Sequence, residues 1–174
     1  MEMLDKKREF MEIYEKEADA IFRYAILRVA NRDDVLDIVQ DTFAKFWQAL
    51  NAGTSINYPR SFIFTIVRNK IIDWYRKKKP ESLDAMMEIE DGIAFELPDE
   101  YADKEAEFSA EVSIILKALN KLPPQYREAV YLRFVEGLSP AEIAKVLGAT
   151  PNTISIRINR GMGELRNNLG IDIK

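Results

Sequence analysis

Three observations predict an all-α fold of two small helical domains joined by an acidic flexible linker, the C-terminal domain being a helix-turn-helix. Apolar residues recur at spacings of three and four rather than two, so strands have almost no support. Charge is distributed in blocks: residues 1–79 carry 15 Lys/Arg against 12 Asp/Glu, residues 80–111 carry 1 against 12, and residues 112–174 carry 9 against 5. The stretch "GLSPAEIAKVLGATPNTISIRINRGMGELRNNL" places two Pro-bearing helix starts around a three-residue turn. The net charge of −4 therefore hides two mildly basic blocks separated by an acidic one, each basic block able to face a polyanion.

The first helix is drawn by Phe10, Ile13, Tyr14, Ala18, Ile21, Phe22, Ala25 and Val29 on one face, and "ANRD" interrupts it. A second helix from about Asp33 buries Val35, Ile38, Val39, Phe43, Phe46 and Leu50. "NAGTSINYP" is a loop by composition, and Pro59 suits the first turn of a third helix that runs to the lysines. These helices make a first domain over 1–79. Residues 80–107 read as a mostly extended acidic linker with room for one short helix. The second domain spans 108–174, with a break at Pro123–Pro124.

Within the C-terminal motif, Ser139 caps a helix with Pro140 first and Glu142 three residues on, a capping box. Gly148 ends that helix, and Thr150 caps the next, again with Pro first. That is the pattern of a helix-turn-helix, with a plain helical hairpin as the alternative. At 100° per residue from Ile154, the buried side takes Ile158, Gly161, Leu165 and Leu169. Asn152, Ile156, Asn159 and Arg160 point away, flanked by Thr153, Ser155 and Arg157. Short polar side chains, arginines and one isoleucine suit base edges, phosphates and a thymine methyl.

The same projection of the third helix puts Ile63, Ile66, Val67 and Trp74 on the apolar side. Thr65, Arg68, Asn69, Ile72 and Arg76 fall opposite. Trp74 reads as core rather than a stacking platform, and Lys77, Lys78 and Lys79 taken alone read as a solvated helix end favoured by the dipole. On the second helix Asp34, Asp37 and Asp41 align beside Gln40. The helix dipole explains Asp33 and Asp34 but not Asp41, two turns in. A basic protein partner would explain the face, and plain solvation is the alternative.

With no Cys and no His, disulfides, thiolate chemistry, typical zinc sites and imidazole catalysis are excluded. No apolar run reaches the roughly 18 residues of a membrane helix, and "MEMLDKKREF" has no apolar stretch of a signal peptide. A cytoplasmic protein without cofactor, metal, small-molecule substrate or membrane insertion is expected. A nucleic-acid enzyme would need a fixed carboxylate cluster, and the dense acids lie in the linker.

"DIVQDTFAKFW", "SFIFTIVRNKIIDWYRKKK" and "LPPQYREAVYLRFVEGLSPAEIAKVLGATPNTISIRINRGMGEL" resemble, in order and spacing, the regions of bacterial sigma factors of the sigma-70 family, specifically the extracytoplasmic-function (ECF) subfamily. The resemblance covers nearly the whole chain. It implies an initiation factor whose first domain binds core RNA polymerase and opens the minus-ten promoter element, while the second reads the minus-thirty-five element. By position, Asp37, Gln40 and Asp41 correspond to the contact with the clamp helices of the largest polymerase subunit. Asn69 lies near the pocket for a flipped non-template base, and the loop from Asn51 to Tyr58 helps choose that base. The minus-ten set is therefore Asn57, Tyr58, Thr65, Arg68, Asn69, Arg76 and Lys77 to Lys79. The minus-thirty-five set is Asn152, Thr153, Ser155, Ile156, Arg157, Asn159 and Arg160, completed by Arg133 and Thr150. The resemblance also implies contact with the flap of the second-largest subunit and a possible anti-sigma factor. Departures from the pattern are Phe62 in place of a common Trp, Ser155 where Lys is frequent, and Gly161 and Gly163 in a helix, each glycine at a cost of up to ~1 kcal/mol. A stand-alone helix-turn-helix regulator would explain only the C-terminal half.

Overall fold

The computed structural model describes residues 1–78, 92–95 and 105–171. Every regular element among them is helical: α1 (Glu2–Ile26), α2 (Arg32–Asn51), α3 (Pro59–Lys78), α4 (Glu105–Asn120), α5 (Pro124–Phe134), α6 (Pro140–Leu147) and α7 (Pro151–Leu169). Asn31 starts α2, its side-chain oxygen accepting from the Asp34 amide at 3.0 Å, which satisfies one of the orphan donors of a first turn. Pro59 opens α3 as expected, and α4 begins three residues before the predicted start of the second domain.

The turn between α6 and α7 follows the local chemistry closely. Ser139 Oγ accepts from the Glu142 amide at 3.2 Å, and Glu142 Oε2 accepts from the Ser139 amide at 2.7 Å, the reciprocal bonds of a capping box. Gly148 takes a left-handed φ of 63°, which glycine adopts without steric cost. Thr150 Oγ1 then accepts from the Thr153 amide at 3.2 Å to start α7.

α1, α2 and α3 pack on one another, α7 packs on α4, α5 and α6, and α6 lies against α3 to join the two groups. That junction corrects the reading of α3: Ile72, assigned to the open side, is only 5% exposed. α3 mixes apolar and polar residues around its circumference and is packed on two sides, by α1 and α2 of its own domain and by α6 of the C-terminal group.

The junction is also built from charge. Arg28 is wholly buried, its guanidinium 3.6 Å from the Tyr24 ring centroid, 4.4 Å from that of Tyr131 and 4.7 Å from that of Phe95. It pairs with Glu128 at 3.2 Å, and the Tyr24 hydroxyl also donates to Glu128. Nearby, Arg23 makes two bonds to the Glu136 carboxylate at 3.0 and 2.8 Å, Tyr131 donates to the same group at 2.7 Å, and Arg60 donates to the Glu136 carbonyl at 2.7 Å. Residues 92–95 belong to no regular element, with Ile93 and Phe95 buried, and the Asn120 side chain bonds both the amide and the carbonyl of Phe95 at 2.8 Å. The remainder of the predicted linker, 80–91 and 96–104, with most of its acids, lies outside the described residues.

Burial, followed by the Glu128 carboxylate and opposed by Arg28 and Arg68, raises the Tyr24 phenol well above its ordinary range. Burial, opposed by Arg28 and reinforced by Glu136, does the same for Tyr131. Folded pKa values above the unfolded value of about 10 give a contribution that is complete below that pH and lost as pH rises through the folded values. Of the seven tyrosines, Tyr24 and Tyr131 are therefore expected to ionise together with unfolding in an ultraviolet absorbance titration. Their ionisation near pH 10 in protein that keeps its helical circular dichroism would refute this.

Gly161 and Gly163 separate in role. A Cβ on Gly161 would stand 2.6 Å from Val130 Cγ2 and 3.2 Å from Tyr126 Cβ, whereas one on Gly163 would meet nothing within 4 Å. Gly161 thus lets α7 close on α5. Gly163→Ala is expected to raise stability by up to ~1 kcal/mol, while Gly161→Ala costs about 1–3 kcal/mol by overpacking. Urea denaturation distinguishes the two, and equal shifts would contradict the packing argument.

Candidate functional site

Three surfaces carry the residues singled out by the sequence. On α2, Asp37, Gln40 and Asp41 are all exposed on one face. Asp41 lies 3.5 Å from Lys70. Asp34 is drawn inward instead, accepting from Trp74 Nε1 at 2.9 Å with Lys78 at 3.7 Å. Trp74 is half-buried, with the Lys78 ammonium 5.1 Å from its ring centroid. Exposed pairs of this kind contribute roughly 0–1 kcal/mol, so Asp37 and Asp41 stay available to a partner.

Beside that acidic strip, between α1 and α2, runs an apolar groove of about 680 Å³ lined by Phe10, Met11, Tyr14, Leu36, Val39 and Trp47 among others. Sequence reasoning assigned Phe10, Tyr14 and Val39 to buried stripes and did not see the groove. Its signal was Leu36, an apolar residue outside the α2 stripe, beside Met11 outside that of α1; both are more than 40% exposed.

The second surface belongs to α3 and the loop before it. Asn57, Tyr58 and Thr65 converge on one pocket of about 280 Å³, with Ser55, Ser61 and Phe62 also in its wall. Phe62 leans on Phe46, ring centroids 6.2 Å apart. Arg68 is half-buried, and Asn69 is exposed on the same helix. Arg76, half-buried, sits 3.7 Å from Asp73; Lys77 and Lys78 are exposed at the helix end. Lys79 lies outside the described residues. The same pocket has an unforeseen member: Lys145 of α6, whose ammonium stands 4.4 Å from the Tyr58 ring centroid.

The third surface is the outer face of α7. Asn152, Ile156, Asn159 and Arg160 are exposed, Thr153, Ser155 and Arg157 half-exposed, and Ile154, Ile158 and Gly161 buried. Leu165 and Leu169, expected on the buried side, are half-buried. Two hydroxyls are partly engaged: Thr150 caps the helix and contacts Thr153 Oγ1 at 2.9 Å, and Ser155 donates to the Pro151 carbonyl at 3.0 Å. Ser155 therefore faces outward as an acceptor. Arg133 stands apart at the end of α5, exposed, with one nitrogen donating to the Leu138 carbonyl at 3.1 Å. Among the described residues no group of His, Cys, Asp and Glu has the arrangement of a metal site, and no helix is long and apolar enough to cross a membrane.

The comparisons agree with this layout. The model of Sigma-70 region 2 matches residues 13–81, and that of Sigma-70, region 4 matches residues 113–165. The ECF RNA polymerase sigma factor SigE of Mycolicibacterium smegmatis is 31% identical over 91% of this chain, which spans 60% of that relative's length. The RNA polymerase sigma factor SigV of Bacillus subtilis is 31% identical over 83% of this chain and 81% of its own. Among solved structures, the sigma factor RpoE of Bartonella quintana, determined with the anti-sigma factor NepR, superposes with a TM-score of 0.69 at 24% identity, covering 95% of this chain and 99% of that one. With regions 2 and 4 in order, and with relatives aligned across both, the chain belongs to the sigma-70 family of RNA polymerase sigma factors, in its extracytoplasmic-function subfamily.

Proposed function

We propose that this protein binds core RNA polymerase and directs it to promoters, with 1–79 as the polymerase-binding and minus-ten unit, 80–107 as the linker and 108–174 as the minus-thirty-five unit. The observation that carries the reading is the joint presence of region 2 and region 4 in one chain, with an open polar face on α7 and an acidic face on α2. A stand-alone helix-turn-helix regulator has no use for the second of these. Asp37, Gln40 and Asp41 dock on the largest subunit, and region 4 meets the flap of the second-largest. Asn57, Tyr58, Thr65, Arg68 and Asn69 take up an unstacked base, with Arg76 and Lys77 to Lys79 compensating phosphates. Thr153, Ser155, Ile156, Arg157, Asn159 and Arg160 read the minus-thirty-five element, aided by Arg133, Thr150 and Asn152. The protein works in the cytoplasm and catalyses no reaction of its own. The reading extends to an anti-sigma factor as a partner, by analogy with RpoE, whose structure holds one.

Run-off transcription with purified core polymerase tests the reading: initiation at defined sites that core alone does not use supports it, and transcripts unchanged by the added protein overturn it. In footprints of the holoenzyme, Asn159→Ala is expected to cost ~1–3 kcal/mol at one base pair and relax preference there, whereas losing a phosphate-binding arginine weakens all sequences alike. Uniform weakening by every α7 substitution would contradict base readout.

A further inference from the structure

Residues 92–95, inside the span read as linker, sit in a built seat. Ile93 and Phe95 are 8% and 4% exposed. The Asn120 side chain accepts from the Phe95 amide and donates to the Phe95 carbonyl, both at 2.8 Å. Asn120 closes α4 and is itself fixed, because the Arg127 guanidinium donates to the carbonyls of Asn120 and Leu122 at 3.1 Å and of Leu119 at 3.3 Å. The Phe95 ring lies 5.2 Å from that of Tyr131 on α5, centroid to centroid. At Gly92 a Cβ would stand 2.4 Å from the Pro124 carbonyl oxygen, so the approach to the start of α5 needs glycine. Arg28 of region 2 also reaches the Phe95 ring, at 4.7 Å. Both hydrogen bonds and the close backbone approach, however, are made to α4 and α5, so the seat belongs to region 4.

A segment fixed in this way changes how far the two regions can stand apart. From Lys78, the last residue of α3, to Glu105, the first of α4, a covalent chain of this length reaches at most about 95 Å. With 92–95 held by region 4, the connection shortens to the thirteen residues 79–91, which reach at most about 50 Å. The names of the two promoter elements put their centres about 25 base pairs, or about 85 Å, apart. With a half-width of about 15 Å for each region, the anchored chain bridges about 80 Å and the unanchored one about 125 Å. A connection acts as a ruler when its length matches the span and fails when it cannot bridge it. Only the anchored length matches.

We propose that residues 92–95 are a spacing anchor: held on region 4 by Asn120, they make 79–91 alone the measure of the distance between the two promoter elements. Phe95 and Asn120 are then positioning residues for promoter spacing. This rests on reading region 2 as the minus-ten unit and region 4 as the minus-thirty-five unit.

The position of an insertion tests the anchor without touching any packed residue. Four residues, Gly-Ser-Gly-Ser, are added after residue 79 in one protein and after residue 100 in another; each lengthens the chain by at most about 14 Å, the rise of about four base pairs. Run-off transcription with core polymerase is measured on templates in which the spacer of a promoter used by the unmodified chain is lengthened by one to four base pairs. The insertion after 79 is expected to raise initiation on the longest spacers at least about tenfold relative to the parent template. The insertion after 100, on the far side of the anchor, is expected to leave the spacer profile unchanged. Phe95→Ala with Asn120→Ala should admit long spacers without any insertion. Two insertions that move the profile alike, or no movement by either, overturn the anchor. So does a loss in the Phe95→Ala, Asn120→Ala protein that is uniform over all spacers, since that is a structural role alone. Failure of the sigma reading is seen differently, as an absence of initiation by the unmodified chain on every template.

Discussion

Glu128→Ala is expected to destabilise the folded chain by about 3–5 kcal/mol, the cost of leaving a buried charge without its partner. The reasoning starts from Arg28, which is wholly buried, ringed by Tyr24, Phe95 and Tyr131, and paired with Glu128 at 3.2 Å. Its remaining hydrogen bond, from Nη1 to the Tyr24 carbonyl at 2.8 Å, does not neutralise a guanidinium. The Tyr24 hydroxyl, donating to Glu128, would lose its acceptor as well, adding the penalty of an unsatisfied buried polar group. Removing both charges together is a different experiment. Arg28→Met with Glu128→Gln is expected to cost clearly less than Glu128→Ala alone, because no lone charge remains in the apolar site. Equilibrium denaturation in guanidinium measures both. A loss under about 1 kcal/mol for Glu128→Ala would show that water reaches Arg28 freely, against the packing described.

That pair marks where sequence reading stopped. The helix-turn-helix was legible down to its caps because every decisive interaction there is local: Ser139 with Glu142, Gly148 in a left-handed turn and Thr150 with Thr153 lie within four residues of one another. The α2 stripe was legible too, since Val35, Ile38, Phe43, Phe46 and Leu50 are buried at helical spacing and the period shows. α3 was half legible. Ile63 and Val67 were placed correctly in the core, but Ile72 was left outside because the period of a single helix assigns it one buried face, and α3 has two. α5 is the extreme case, with Arg127 to Leu132 buried in unbroken succession. The usable signal was that polar and apolar residues are not segregated onto opposite sides of either helix, unlike an element with a single buried stripe. Arg28 and Glu128 are one hundred residues apart, and nothing in their local pattern links them. Lys145 in the Tyr58 pocket is hidden likewise, since it belongs to a helix whose own caps and stripe are fully explained without it.

Asp37→Lys together with Asp41→Lys is expected to abolish binding to core polymerase while leaving helical content and the melting temperature nearly unchanged. Both side chains are exposed, and the structural partner of Asp41, Lys70 at 3.5 Å, belongs to a surface pair worth roughly 0–1 kcal/mol. Folding therefore loses little. Lys at position 37 becomes an opposite charge beside Asp34, whereas Lys at position 41 repels the new cation at 37, Lys45 and Lys70, so the helix bears a few tenths of a kcal/mol per pair in each direction. Binding responds differently, because a like-charge contact across an interface costs several kcal/mol, and each 1.4 kcal/mol is a factor of ten in affinity. Two reversals on one face lower affinity by well over a hundredfold if the partner surface is basic. Asp37→Asn with Asp41→Asn removes attraction without adding repulsion and should fall between the parent and the double lysine. The apolar groove beside the strip supplies a control on the opposite side of the argument: Leu36→Ala trims exposed apolar surface without touching charge, so a loss that it shares with the lysine variant would extend the contact onto the groove. The decisive measurement is retention of the variants on immobilised core polymerase at two salt concentrations, since an electrostatic contact weakens as salt rises. Full retention of the double lysine protein, with melting intact, would remove this face from the interface and return its acids to plain solvation.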